Sequence, residues 1–220
     1  MKKPKIFIAC DTTRLSKVRR ILKFTKSTKM KIGYKFGLEF MNSKNGRPFI
    51  SKLKNKIIFV DLKLNDTVNT MLSAVKALKD LKINYLTVHI SSGLSALKAV
   101  KKVSGSTKII GITTLTSLND NDLKLIGYSK SVKNLVIHQA KLARKANLDA
   151  LVCSPHEVNV VRKIFKKEII TPGVQIGKRN YDQKRSMEAK KVKSDWLVIG
   201  RAITRGNIKK NIQNLAKELR

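Results

Sequence analysis

Acidic residues are scarce in this chain: 14 Asp and Glu stand against 48 Lys and Arg, a formal charge of +34. Aromatic residues are scarce too, at 5% with one Trp. Single-stranded nucleic-acid binders set aromatic platforms among their basic residues, and the common duplex readers carry recognisable motifs. Neither is present, and no helix-turn-helix, zinc-finger or RNP pattern occurs. The lysines run along nearly the whole chain and form no basic tail. Lys, Asn and Ile are abundant together, as expected when codons drift toward A and T. The charge therefore reads as drift, and no specific nucleic-acid partner is expected, although such a surface attracts any small anion.

Cysteine is limited to Cys10 and Cys153, each near the end of an apolar run. That excludes a disulfide framework and fits reduced core thiols in a cytoplasmic protein. The three histidines have no metal-ligand spacing, and neither cysteine has a metal-ligand partner in sequence, so no metal is expected. No apolar run is long enough to span a bilayer. The first one, Ile6–Cys10, is too short and too quickly charged for a signal peptide. No linker-like stretch divides the 220 residues, which points to one domain over 1–220.

What the chain does have is alternation. Short apolar runs at Lys5–Cys10, Met30–Tyr34, Ile57–Lys63, Asn84–Ile90, Lys108–Ile112, Ala150–Cys153, Glu168–Thr171 and Trp196–Gly200 read as strands. Segments with helical spacing follow them, such as Leu15–Phe24, Thr67–Leu81, Leu94–Val103 and Val132–Ala146. Ser16 or Thr13 could cap the first helix. Eight strand–helix units predict a parallel sheet closed into a single (β/α)8 TIM barrel, with a doubly wound open sheet as the alternative. A barrel places its chemistry at the C-terminal ends of its strands. There the chain carries Asp11, Asp61, Lys63, His89, Thr113, Ser154, Gly173 and Arg201.

The densest of these positions is Asp61-Leu62-Lys63-Leu64-Asn65-Asp66, directly after the apolar run Ile57–Val60. If the strand continues through Lys63, Asp61 and Lys63 share a face. Carboxylates this close favour a protonated lysine, and the lysine favours ionised carboxylates. The same pattern would also suit a solvated turn with a surface ion pair. His89 reads more simply as a structural histidine, and Trp196 as packing.

Together these pieces resemble the orotidine 5′-phosphate decarboxylase family from first strand to last helix. The specific matches are the Asp61–Asp66 motif with Asn69-Thr70, Ile8–Asp11, Lys31-Ile32-Gly33, Leu115-Thr116-Ser117 and Val152–Pro155. Thr171-Pro172-Gly173, Asp182-Gln183-Lys184-Arg185 and Gly200-Arg201 complete the set. The resemblance implies a cofactor-free decarboxylase of pyrimidine biosynthesis. Asp11 and Lys31 would hold the ribose and complete a charge array with Asp61 and Lys63, and Lys63 would protonate C6. Asp66 would act in trans across a homodimer, with Thr67 and Thr70 beside it in the partner's pocket. Thr116 would meet the pyrimidine edge, Gln183 would bridge base and phosphate, and Gly200 and Arg201 would bind the phosphate. Two positions depart from the pattern. Gln175 stands where the family usually has arginine, with Lys178 or Arg179 as replacements, and Thr67 stands where isoleucine is common. A Mg2+-dependent sugar-phosphate lyase shares the D-x-K-x-x-D piece, but Thr116 and Gln183 answer to a nucleotide.

Overall fold

The computed structural model describes residues 5–26, 28, 30–175 and 187–219. Seven strands come first in order: β1 Lys5–Ala9, β2 Ile32–Gly37, β3 Ile57–Leu64, β4 Tyr85–His89, β5 Lys108–Ile112, β6 Ala150–Val152 and β7 Glu168–Thr171. Two two-residue strands, β8 Val174–Gln175 and β9 Met187–Glu188, form a separate parallel pair, and β10 is Trp196–Ile199. The order β1-β10-β7-β6-β5-β4-β3-β2 closes on itself, with every neighbouring pair parallel. Closure rests on β1 and β10, where Ile6 pairs with Leu197 and Ile8 with Ile199. That pairing excludes the open sheet and establishes the TIM barrel.

Alternation along each strand divides the core in two. Outward residues such as Ile6, Ile8, Phe36, Val60, Leu86 and Leu151 join the helices in one apolar cluster. Inward residues Phe7, Phe59, Tyr85, Ile110, Ile170 and Trp196 fill the barrel as a second. Phe7 stacks on Trp196 with ring centroids 3.9 Å apart and meets Phe59 edge-on at 5.0 Å. Gly33 makes room for this layer, since a Cβ there would lie 2.5 Å from the Phe7 ring. Emptying such a position, as in Phe7→Ala, costs about 3–5 kcal/mol.

The helices depart from the sequence reading mainly at their ends. Leu15–Thr25 starts without a side-chain cap, so neither Ser16 nor Thr13 serves. The helix expected over Thr67–Leu81 is α-helical over Val68–Ala77 and ends as a 3-10 turn at Lys79–Leu81. The β8–β9 pair was not foreseen, because two-residue strands leave no periodic signal. No described helix is long and apolar enough to cross a membrane.

Candidate active site

The inward face of the barrel changes character one layer above the aromatic residues. Two positions beyond Phe7 and Phe59 on their strands come Ala9 and Asp61, and Lys35 follows Gly33 by the same step. Here the barrel opens into a cavity of about 450 Å³ at the C-terminal strand ends, with Asp11, Lys35, Asp61, Lys63, Thr116 and Arg201 in its wall.

Asp61 is the hub. Its Oδ2 lies 2.9 Å from Lys63 Nζ and 3.3 Å from Lys35 Nζ, and its Oδ1 accepts from Thr87 Oγ1 at 3.0 Å. Lys35 Nζ also donates to Asp11 Oδ1 at 3.0 Å. The result is a continuous array, Asp11–Lys35–Asp61–Lys63. Burial pushes the Asp61 carboxyl up, but Lys35 and Lys63 outweigh it and hold the carboxyl below the ordinary aspartate range. Burial likewise pulls the Lys35 ammonium down, and Asp61 and Asp11 more than reverse this. Gly37 lets the array close: a Cβ there would lie 2.9 Å from Asp11 Oδ1 and 3.4 Å from Lys35 Nζ.

Lys35 corrects the sequence reading, which put Lys31 in the array. Lys31 precedes β2 and is exposed at the other end of the barrel. The chain holds Lys-apolar-Gly twice, at Lys31-Ile32-Gly33 and Lys35-Phe36-Gly37. The two lysines share strand parity but stand two steps apart along the strand. β2 also runs further than expected, to Gly37 rather than Tyr34, and so carries Lys35 to the C-terminal end.

Lys63 reaches the cavity by a route that strand alternation does not describe. The β3–β4 register breaks between Val60 and Leu64, and Lys63 has φ +50°, in the left-handed region. Such a kink costs a non-glycine residue about 1–2 kcal/mol. Thr87, wholly buried on β4, holds it in place. The Lys63 backbone N–H donates to Thr87 Oγ1 at 2.8 Å, while the same hydroxyl donates to Asp61. The sequence reading did not single out Thr87, because a threonine in an apolar run looks like ordinary strand filler.

The remaining expected residues divide by location. Thr116 lies in the wall, in the segment after β5. Gln139 steadies that segment, its Oε1 accepting from the Thr114 N–H at 2.8 Å. Gly200 and Arg201 border the cavity where β10 gives way to the short helix Arg201–Thr204. Asp66, Thr67 and Thr70 are exposed and outside the cavity wall. The Thr67 N–H, then the Thr70 side chain, lower the Asp66 carboxyl, and the Thr67 and Thr70 hydroxyls are 3.0 Å apart. Gln175 falls in β8, opposite Glu188. Gln183, Lys178, Arg179, Lys184 and Arg185 lie outside the described residues. His89 is half-buried at the end of β4, and burial followed by Lys63 lowers its pKa. Cys10 and Cys153 are both buried, and neither is part of a disulfide. No group of three or more potential metal-ligating side chains occurs among the described residues.

This arrangement is a fixed lysine–carboxylate array in a partly enclosed pocket, and residues 4–212 match the sequence model of the orotidine 5′-phosphate decarboxylase / HUMPS family. The chain belongs to the orotidine 5′-phosphate decarboxylase / HUMPS family. It is a decarboxylase, a carboxy-lyase. The orotidine 5′-phosphate decarboxylase of Wolbachia sp. subsp. Brugia malayi is 37% identical over 220 residues, covering 96% of each chain. That of Wolbachia pipientis subsp. Culex pipiens is 39% identical, covering 90% of this chain and 91% of the relative. The crystal structure of the Lactobacillus acidophilus orotidine 5′-phosphate decarboxylase superposes with a TM-score of 0.83 at 28% identity, over 99% of both chains.

Proposed function

We propose that this chain converts orotidine 5′-phosphate to uridine 5′-phosphate, a step of pyrimidine biosynthesis, with no cofactor. The observation that carries the mechanism is the pair of lysines converging on the buried Asp61, at 2.9 and 3.3 Å. The C6–carboxylate bond breaks, CO2 departs, and the electron pair stays on C6 in an orbital that the ring delocalises poorly. The Lys63 ammonium, held by Asp61, stabilises that charge and then delivers its proton to C6. Fixed charge in a pocket with little water is the largest rate term open to such a site. Lys35 locks Asp11 and Asp61 in place, so the array does not rearrange as charge develops. Asp11 and Lys35 hold the ribose, Thr116 faces the pyrimidine edge, and Gly200 and Arg201 take the phosphate, which suits a guanidinium. Binding energy from the remote phosphate assembles the site.

In this reading Asp66 completes the site of a second copy. Its exposure outside its own cavity, with Thr67 and Thr70 beside it, supports a role in trans. The enzyme is then a homodimer working in the cytoplasm.

The first experiment is the ultraviolet absorbance of orotidine 5′-phosphate with purified protein and excess chelator, alongside Lys63→Ala. Loss of the orotate absorbance with the wild type alone is expected. An inert, folded wild type would sink the proposal. The trans role has a separate test: mix Lys63→Ala with Asp66→Ala, each inactive, and let the subunits exchange. Heterodimers then carry one complete site, restoring roughly a quarter of wild-type activity. No recovery would place Asp66 in its own subunit's site or outside catalysis.

A further inference from the structure

Beside the active-site cavity lies a second cleft, of about 410 Å³. Arg14, Lys17 and Arg20 line it from the start of the helix Leu15–Thr25, and Arg205 lines it from the turn after Arg201–Thr204. Thr204 borders both spaces, so the cleft adjoins the active-site cavity at the end of the short helix that Arg201 begins. No acidic residue lines it. None of the four cationic side chains has an ion-pair or hydrogen-bond partner among the described residues.

General basicity does not account for this composition. The chain has 37 lysines and 11 arginines. Codon drift explains abundant lysine, yet three of the four cations here are arginine. Arginine binds phosphate oxygens through a planar fork of N–H donors, whereas lysine acts as a point charge.

We propose that this cleft is a subsite for phosphates beyond the first, and that a nucleoside 5′-triphosphate occupies both spaces at once. The inference rests on the reading of the cavity as a nucleotide site. Base and ribose sit in the cavity with the first phosphate at Gly200 and Arg201, and the outer phosphates pass Thr204 to reach Arg14, Arg20 and Arg205. Uridine 5′-triphosphate, which carries the base and ribose of the product, then competes with substrate. End-product nucleotides thereby restrain the reaction directly.

The test is calorimetric binding of uridine 5′-mono-, di- and triphosphate to the full chain, with chelator so that the outer phosphates stay unneutralised. Wild type is expected to bind the triphosphate at least tenfold more tightly than the monophosphate. Arg14→Ala/Arg20→Ala/Arg205→Ala should erase that advantage and leave monophosphate affinity within about twofold. A control, Lys52→Ala/Lys54→Ala/Lys166→Ala, removes the same charge from exposed positions ahead of β3 and β7, at the opposite end of the barrel. It should keep the advantage. Weaker triphosphate binding by wild type, or equal losses in the two triple variants, would overturn the subsite while leaving the nucleotide site intact. If the monophosphate itself fails to bind, the reading of the cavity fails and the subsite falls with it.

Discussion

The barrel carries an ionic cluster at each end, and the two are built to opposite purposes. At the C-terminal end, Asp61 gathers Lys35, Lys63 and Thr87 beneath a cavity. At the N-terminal end, Glu168 gathers Lys5 at 2.8 Å, Tyr85 Oη at 2.9 Å, Lys108 at 3.1 Å and Trp196 Nε1 at 3.4 Å. Its lysines also lie over aromatic rings, Lys5 over Trp196 at 4.7 Å and Lys108 over Tyr85 at 5.3 Å. Each cluster is a carboxylate between two ammonium groups. The lower one sits against the aromatic layer, with each lysine held between the carboxylate and a ring. The upper one leaves Lys63 facing open space on a strained backbone. Ion pairs are therefore a poor marker of function by themselves; what separates these two is the cavity and the cost of the conformation.

The largest effect expected from breaking this contrast is at Lys63 and Lys35. Lys63→Ala and Lys35→Ala should each lower kcat by roughly 10³-fold or more, whereas Lys31→Ala should match wild type. Steady-state kinetics on the three variants checks the reassignment, and a large loss in Lys31→Ala would undo it.

Thr87 comes next. Thr87→Val keeps the shape but removes both the acceptor for the Lys63 N–H and the donor to Asp61. A 10- to 100-fold fall in kcat is expected, with little change in KM. Thr87→Ser keeps the hydroxyl and should recover most of the rate. Failure of serine to rescue would mean that methyl packing, not the hydroxyl bridge, is what matters.

The lower cluster should respond in the opposite sense. Glu168→Gln should leave kcat unchanged but cost about 2 kcal/mol once its partial exposure is allowed for. In a chain of this length that is about 4–8 °C in Tm, read by calorimetry.

The smallest and most diagnostic effect is on acid stability. Burial pushes the Glu168 carboxyl up, but hydrogen bonds from Lys5, Tyr85 and Lys108 outweigh it, lowering its pKa from 4.5 to about 2. Between those values the unfolded chain binds the proton and the folded chain does not, so stability rises with pH across the window. The contribution is complete above about pH 4.5 and is lost as pH falls toward about 2. Glu168→Gln should flatten that part of the acid-unfolding curve, and an unchanged slope would show that the cluster does not couple to folding.

Much of this molecule was legible in the sequence, for a physical reason. Fully buried parallel strands must be apolar runs, and the residue that ends such a run in a barrel stands at the active face. Asp11, Asp61, Lys63 and Arg201 were read that way, and all four line the cavity. Lys35 was missed because Lys-apolar-Gly occurs twice on one parity, and composition does not say where a strand stops. Thr87 was missed because its importance lies in two hydrogen bonds across strands, one to a backbone group with no sequence signature. The reach of Lys63 was expected for an incomplete reason: alternation puts it beside Asp61 in principle, but a register break places it there in fact. The lower cluster gave no sign, since Lys5, Lys108 and Glu168 each read as an unremarkable polar start to a strand.

The kink at Lys63 has a consequence for how such a protein can evolve. Glycine adopts the left-handed conformation without penalty, so Lys63→Gly should be at least as stable as Lys63→Ala despite shortening the side chain further. On the proposed mechanism, the residue that donates the proton stands where the backbone would favour glycine. If Lys63 is that donor, selection for heat resistance alone would wear the site away, and demand for turnover would be what keeps a lysine there.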